Sequence, residues 1–217
     1  MAIATTVVAQ TPASAVKPDH SASASVLKLE RERMDGVVAA ALVTALSEQL
    51  GGRAVNIRLE HVDAQATSLR DRLVKGQGRM LIDGGDDWIA FRFDVLYDAV
   101  LESAGYPELH IGGVGRDERA VPNDAKLIRE MDDRVVAMLG EEFGYQQVRL
   151  QLDRIVTVEA GTRYLRVDAD GIADFGLDGT SPLRVEALYD RKAPNWLRIA
   201  YVLQPSNEAS GSGLMGH

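Results

Sequence analysis

Apolar side chains fall at helical spacing twice along this chain, and each time alternating segments follow. Leu27, Met34, Val38, Leu42, Leu46 and Leu50 lie on one face of a helix, and Gly51-Gly52 ends the run. Ser25 is of the residue type that caps a helix start, so the spacing predicts a first helix over 26–50. A second helix is predicted after Asn123-Asp124, with Leu127, Ile128, Met131, Val135, Leu139 and Phe143 as its stripe and Gly144 as its stop.

Each predicted helix leads into an alternating segment, VNIRLEHV from Val55 and VRLQLDRI from Val148, 93 residues apart. In both, the apolar phase holds for three residues and then slips, with the next apolar residues at Val62 and Ile155. A slip at the same place predicts a shared β-bulge. A second pair of strands is expected over 69–82 and 162–175. A third is FRFDVLYDAV from Phe91 and LRVEALYDRK from Leu183, which share Arg92/Arg184, Leu96/Leu188, Tyr97/Tyr189 and Asp98/Asp190. The last pair, PELHIGGV from Pro107 and NWLRIAYV from Asn195, aligns at an offset of 88, which implies a shorter turn before it in the second segment.

The order helix, strand, strand, strand, strand, read twice, predicts an α+β fold made of two tandem copies of a helix plus a four-stranded antiparallel sheet. The copies cover 26–112 and 124–204, joined by a linker at 113–123 and flanked by a flexible N-terminal arm at 1–25 and a flexible tail at 205–217. This element order resembles the cystatin-like architecture, which implies a helix laid across a curved sheet. The Gln-x-Val-x-Gly loop of cystatin protease inhibitors is absent, and VKGQGRM near the corresponding hairpin does not match it, so the resemblance carries over no inhibitory residues. A unit of about 80–90 residues is marginal on core burial alone, and the copies are expected to pack on one another. Trp88, Trp196, Tyr106 and Tyr201 are the aromatic candidates for that contact or for anchoring the hairpins.

Charge and composition narrow the partners. Lys plus Arg at 24 against Asp plus Glu at 32 gives a net charge of −8, which opposes attraction to nucleic acid or anionic lipid. The densest basic stretch, SLRDRLVKGQGR, is broken by Asp71 and followed by DGGDD, so it reads as a solvated strand face. The absence of cysteine excludes disulfides, thiolate metal sites and a cysteine nucleophile. No apolar run reaches the roughly 18 residues that a membrane-spanning helix needs. Ala13-Ser14-Ala15 fits a signal-peptidase site but has no basic region ahead of it, so the expected location is the cytoplasm or a macromolecular assembly, with export as the alternative.

Candidate chemistry is sparse. DGGDD, Asp83 to Asp87, and Asp168, Asp170 and Asp174 carry oxygen ligands suited to calcium or magnesium, but Asp and Gly are also what hairpin turns require, with Asp170-Gly171 a type I′ pair. His61 and His110 match Arg154 and Arg198 in the other copy and read as solvent-facing; only by meeting across one sheet would they make a zinc or acid/base pair. Gly76-Gln77-Gly78 lacks the third glycine of a dinucleotide loop, and no nucleophile motif is present. The carboxylate pairs Asp94/Asp98 and Asp86/Asp87 read as surface charge. No catalytic, cofactor-binding or metal-ligating residue is therefore assigned, and no cofactor is expected.

What remains is a non-enzymatic protein-interaction or structural subunit of a larger assembly. Its β-prone arm, ATTVVAQ, is suited to adding a strand to a sheet edge, and its expected partners are other protein chains, a homo-oligomer included. The alternatives are a ligand-pocket enzyme or binding protein on a helix-covered sheet, and an exported inhibitor or immunity-type binder.

Overall fold

The computed structural model describes residues 20–112, 119–144 and 148–204, with side chains described from residue 27 onward. Helix α1 (His20–Gln49) leads into β1 (Val55–Ala66), β2 (Asp71–Ile82), β3 (Trp88–Asp98), β4 (Ser103–Ala104) and β5 (Glu108–Ile111). Strand β6 (Arg119–Val121) then precedes α2 (Ala125–Phe143), β7 (Arg149–Ala160), β8 (Tyr164–Asp174), β9 (Thr180–Asp190) and β10 (Asn195–Leu203). The architecture is α+β, with two helices and two antiparallel sheets. The first sheet runs β1-β2-β3-β4 with β5 also on β3, and the second runs β10-β9-β8-β7-β6.

The second helix starts where its sequence predicts. The Asp124 carboxylate accepts from the backbone N–H groups of Lys126 and Leu127, which holds its pKa below the usual carboxylate range, and Gly144 closes the helix at φ 67°. The first helix does not start at Ser25. It begins at His20, because no Gly or Pro lies between there and Asp35 to stop it. Residues 20–25 therefore belong to α1 rather than to the arm, and residues 1–19 and 205–217 lie outside the described residues.

The slip of phase is a β-bulge in both hairpins. The register of β1 on β2 shifts between Leu59 and His61, and that of β7 on β8 between Leu152 and Arg154. Across from each bulge stands a glycine. A Cβ on Gly78 would lie 2.5 Å from the Arg58 carbonyl oxygen, and one on Gly171 would strike the Gln151 carbonyl and come within 2.9 Å of the Leu152 Cα. The extra residue pushes backbone across the ladder into space that only glycine leaves empty. Asp170-Gly171 is thus mid-strand and not a turn.

The last pair of strands corrects the expected alignment. Ala104 stands opposite Tyr97 and Trp196 opposite Tyr189, while Ile111 faces Phe91 and Leu203 faces Leu183. The offset is 92 to the end, not 88, and the turns 99–102 and 191–194 are equal in length. In the first sheet the strand breaks around Gly105 to Pro107, where proline has no N–H to give the ladder; in the second it passes the same point as a bulge between Trp196 and Arg198. Strand β6, inside the predicted linker, pairs with Thr157 to Glu159 of β7 and adds a fifth strand to the second sheet.

Each helix covers one face of its own sheet. Met34, Val38, Leu42, Leu46 and Leu50 of α1 pack on Met80, Ile82, Phe91, Phe93 and Val95, and Leu127, Met131, Val135 and Leu139 of α2 pack on Val167, Ala169, Val185 and Trp196. The first core does not end at its own sheet. Ala160, Tyr164, Leu188 and Leu197 of the second half join it. They reach it from the helix-free face of the second sheet, since Val167, Val185 and Ala187 on the opposite alternation face α2. The joint between halves is therefore base to tip: the α1 C-terminus and the turn 83–87 of the first half meet the turn 161–163 and the start of β10 in the second.

Candidate functional site

The joint is polar around an apolar centre. The Thr162 hydroxyl donates to the Asp87 carboxylate at 3.0 Å, Arg198 Nε donates to Gln49 Oε1 at 2.9 Å, and an Arg166 N–H donates to the Ile111 carbonyl at 3.3 Å. At its centre Arg163 forms a bidentate pair with Asp190, whose side chain is only 1% exposed and which also accepts from the backbone N–H groups of Lys192 and Ala193. The guanidinium hydrogen bonds hold the Asp190 carboxyl below its ordinary pKa, and burial raises that of the neighbouring Tyr164 phenol.

Beyond the joint, the helix-free face of the second sheet continues as the floor of an open groove of about 1080 Å³, walled by Arg92, Asp94, His110 and the segment 106–108 of the first sheet. The floor carries Arg154, Asp168, Asp170, Arg184 and Glu186. Its charges pair across strands, Arg184 with Asp170 at 2.8 Å and Arg198 with Glu186 at 3.4 Å, and along β8, Arg166 with Asp168 at 3.0 Å. His110 Nδ1 lies 3.3 Å from the same Glu186. Among the described residues the groove is lined by ion pairs and by no serine or threonine hydroxyl. The space beneath each helix is filled by buried side chains, and the groove lies on the opposite face of the sheet.

The residues singled out from sequence are scattered. His61 faces Gln77, Gln77 faces Arg92, and Arg92 faces His110, so the two histidines share one row but stand three strand spacings, about 14 Å, apart. His110 is matched in register by Val202, not Arg198. Asp83 and Gly84 form the hairpin turn at φ 52° and 64°, closed by Gly85 N–H to the Ile82 carbonyl, and Asp83 pairs with Arg53. Asp168 and Asp170 point from β8 to arginines, and Asp174 accepts from Gly176 N–H. Among the described residues no three His, Asp or Glu side chains gather to hold a metal ion.

Gly76-Gln77-Gly78 is strand, packed under Phe93 and Phe91. The basic stretch is neutralised strand by strand, Arg70 with Asp98, Lys75 with Asp94 and Arg79 with Glu60, which also separates Asp94 from Asp98. Of the aromatic candidates, Trp196 is buried in the second core, edge-on to Tyr189 at 5.1 Å; Trp88 lies under Arg58; Tyr106 is exposed; Tyr201 donates to Glu142 and is pushed up to about 12 by its burial. The aromatic residue at the joint is Tyr164, which sequence reasoning missed. A readable signal existed: Arg70/Asp98 and Arg163/Asp190 recur at the same strand ends, which marks both ends as built alike.

Two surfaces are left open. Strand β1 is an edge for its full 12 residues, with no strand paired to its outer side among the described residues, whereas β6 pairs with Thr157 to Glu159 of β7. Large apolar side chains are exposed at opposite ends of the molecule: Leu27, Leu29, Leu69, Leu96, Val100 and Leu101 at the tip of the first half, and Ile172, Leu177 and Val202 at the base of the second.

No helix among the described residues is long and apolar enough to cross a membrane. No family model matches the chain, and no curated protein matches it. Among solved structures it is similar to an "Ntf2 like protein involved in plasmid conjugation", with 11% identity over 72% of this chain and 79% of that one and a TM-score of 0.23.

Proposed function

We propose that this chain is a non-enzymatic protein-interaction or structural subunit of a larger protein assembly, made of two tandem copies of one cystatin-like helix-on-sheet unit, with its N-terminal arm docking on a sheet edge. The tandem reading is supported by bulges 93 residues apart, by a glycine opposite each, and by a constant offset of 92 along the last two strands. The observation that carries the interaction reading is the outer edge of β1, on which no strand pairs among the described residues and only the Arg31 side chain reaches a carbonyl, that of Val62. A long edge without a strand partner is a template for another strand and a hazard when left bare. On β7 the segment just before α2 supplies that strand; ahead of α1 the chain offers ATTVVAQ, with the β-branched residues such a strand favours.

The full chain and one lacking residues 1–19 test this by light scattering and amide hydrogen exchange. Loss of the arm is expected to speed exchange of the outward-facing β1 amides and to change the mass of the assembly. A full-length chain that is strictly monomeric, with β1 exchange untouched by the deletion, overturns the reading.

A further inference from the structure

We infer that chains of this protein join head to tail, the tip of the first half of one chain seating on the base of the second half of the next, in the manner that the two halves of one chain already join. The partner is a second copy of this chain. The inference rests on the tandem reading above but uses a different surface from the β1 edge.

The internal joint is the template. It is made by the tip and helix-free face of the second half, with Leu188 buried to 1% and Arg163–Asp190 at its centre. The first half carries the same parts in the same strand positions: Leu96 in the place of Leu188 and Arg70–Asp98 in the place of Arg163–Asp190. There nothing covers them among the described residues, and Leu96 is 51% exposed. Tyr164 is matched by Asp71, so the second joint differs in detail. Its apolar share moves to Leu69, in the place of Thr162, and to Val100 and Leu101 in the adjacent turn.

Among the described residues nothing covers the surface that would receive it either. In the first half the receiving base is the turn 83–87 with Ile111 and Gly112, all against the second half. At the matching place the second half has the turn 176–179, with Leu177 fully exposed, and Ile172 of β8 and Val202 of β10 are exposed toward the same end of their sheet. A joint that uses two different surfaces cannot close on itself as a simple twofold pair; it repeats as a ring or an open chain. Paired apolar ends left exposed on one molecule are what such a joint requires.

Mixing complementary variants tests this in the full chain. Leu96→Glu, and independently Leu101→Glu, block the tip; Leu177→Glu blocks the base. All three positions are exposed, and equal melting temperatures confirm that the variants fold. The wild type is expected to grow in mass with concentration above its 23.6 kDa monomer, and each variant alone to lose that growth. A mixture of a tip variant with Leu177→Glu brings one intact tip and one intact base together and is expected to give a one-to-one pair. A wild type of constant monomer mass, or a mixture that forms no pair, overturns the inference. Assembly abolished by deleting residues 1–19 but indifferent to all three substitutions overturns it while leaving the edge-docking reading standing; the reverse result overturns edge docking alone.

Discussion

Leu96 and Leu188 each precede a Tyr-Asp pair near the end of the third strand of their sheet, yet Leu96 is half exposed and Leu188 is buried between the two halves. Identical sequence at matched positions thus carries unequal energy. Leu188→Ala empties a packed site and is expected to cost about 3 kcal/mol. Leu96→Ala removes little buried surface and is expected to change the stability of the monomer by less than about 0.5 kcal/mol. Urea unfolding of the two variants at low protein concentration checks the contrast.

The same asymmetry holds for the two strand-end ion pairs. Asp190→Ala strands Arg163 at the joint and removes the acceptor for two backbone N–H groups, and is expected to cost about 3 kcal/mol, the lower end for a broken buried pair because Arg163 keeps some solvent. Asp98→Ala, at the solvent-facing tip, is expected to cost distinctly less. Chemical denaturation reads both, and equal losses would contradict the placement of the joint.

Acid should unfold the protein through these carboxylates. Asp98 is lowered from 3.8 to about 2 by the Arg70 hydrogen bond and the Leu101 N–H, and Asp190 and Asp124 are lowered too. A carboxyl with a lower pKa folded than unfolded binds fewer protons in the folded state. Its contribution is complete above its unfolded value and lost as pH falls through its folded one. The melting temperature is therefore expected to fall between about pH 4 and pH 2, and to fall less steeply in Asp98→Asn. Tyr201 has the opposite sign. Raised to about 12 by burial and by Glu142, it contributes stability below its unfolded value of 10.0 that is lost as pH rises through the folded one. Phenolate absorbance should show tyrosines that titrate late, Tyr97 and Tyr164 among them, and one fewer in Tyr201→Phe.

Glycines opposite the bulges should resist substitution while a helical one invites it. Gly171→Ala drives a methyl into the Gln151 carbonyl and is expected to destabilise by about 1–3 kcal/mol. Gly36, inside α1 with nothing within 4 Å of its Cβ direction, is expected to stabilise by about 0.5–1 kcal/mol as alanine. Thermal melts of the two variants should move in opposite directions.

Much of the fold was legible because it is written in local periodicity. The stripe from Met34 to Leu50, the Asp124 cap and the slip after Leu59 and Leu152 each depend on neighbours within a few residues. What was illegible depends on residues far apart in the chain. Tyr164 and Leu188 occupy ordinary strand positions, and only the approach of the first half buries them. Nor did alternation reveal that Gly105 to Pro107 interrupts a strand, since the break leaves the offset of 92 unchanged on either side. The groove combines charges from β3, β5, β7, β8, β9 and β10, and no spacing within one segment announces it.

The bulge and its facing glycine settle the alignment of each hairpin but say nothing about which strand is the right mate. The Gly171 strand presents the same gap at the same step as the Gly78 strand, so this feature alone does not tell β1 one from the other. Sorting therefore falls to the short turns at 67–70 and 161–163, which bring the correct mates together before distant ones can compete. Lengthening the turn at 67–70, which lies away from the joint, should leave the paired strands intact and lower the yield of correctly paired chains.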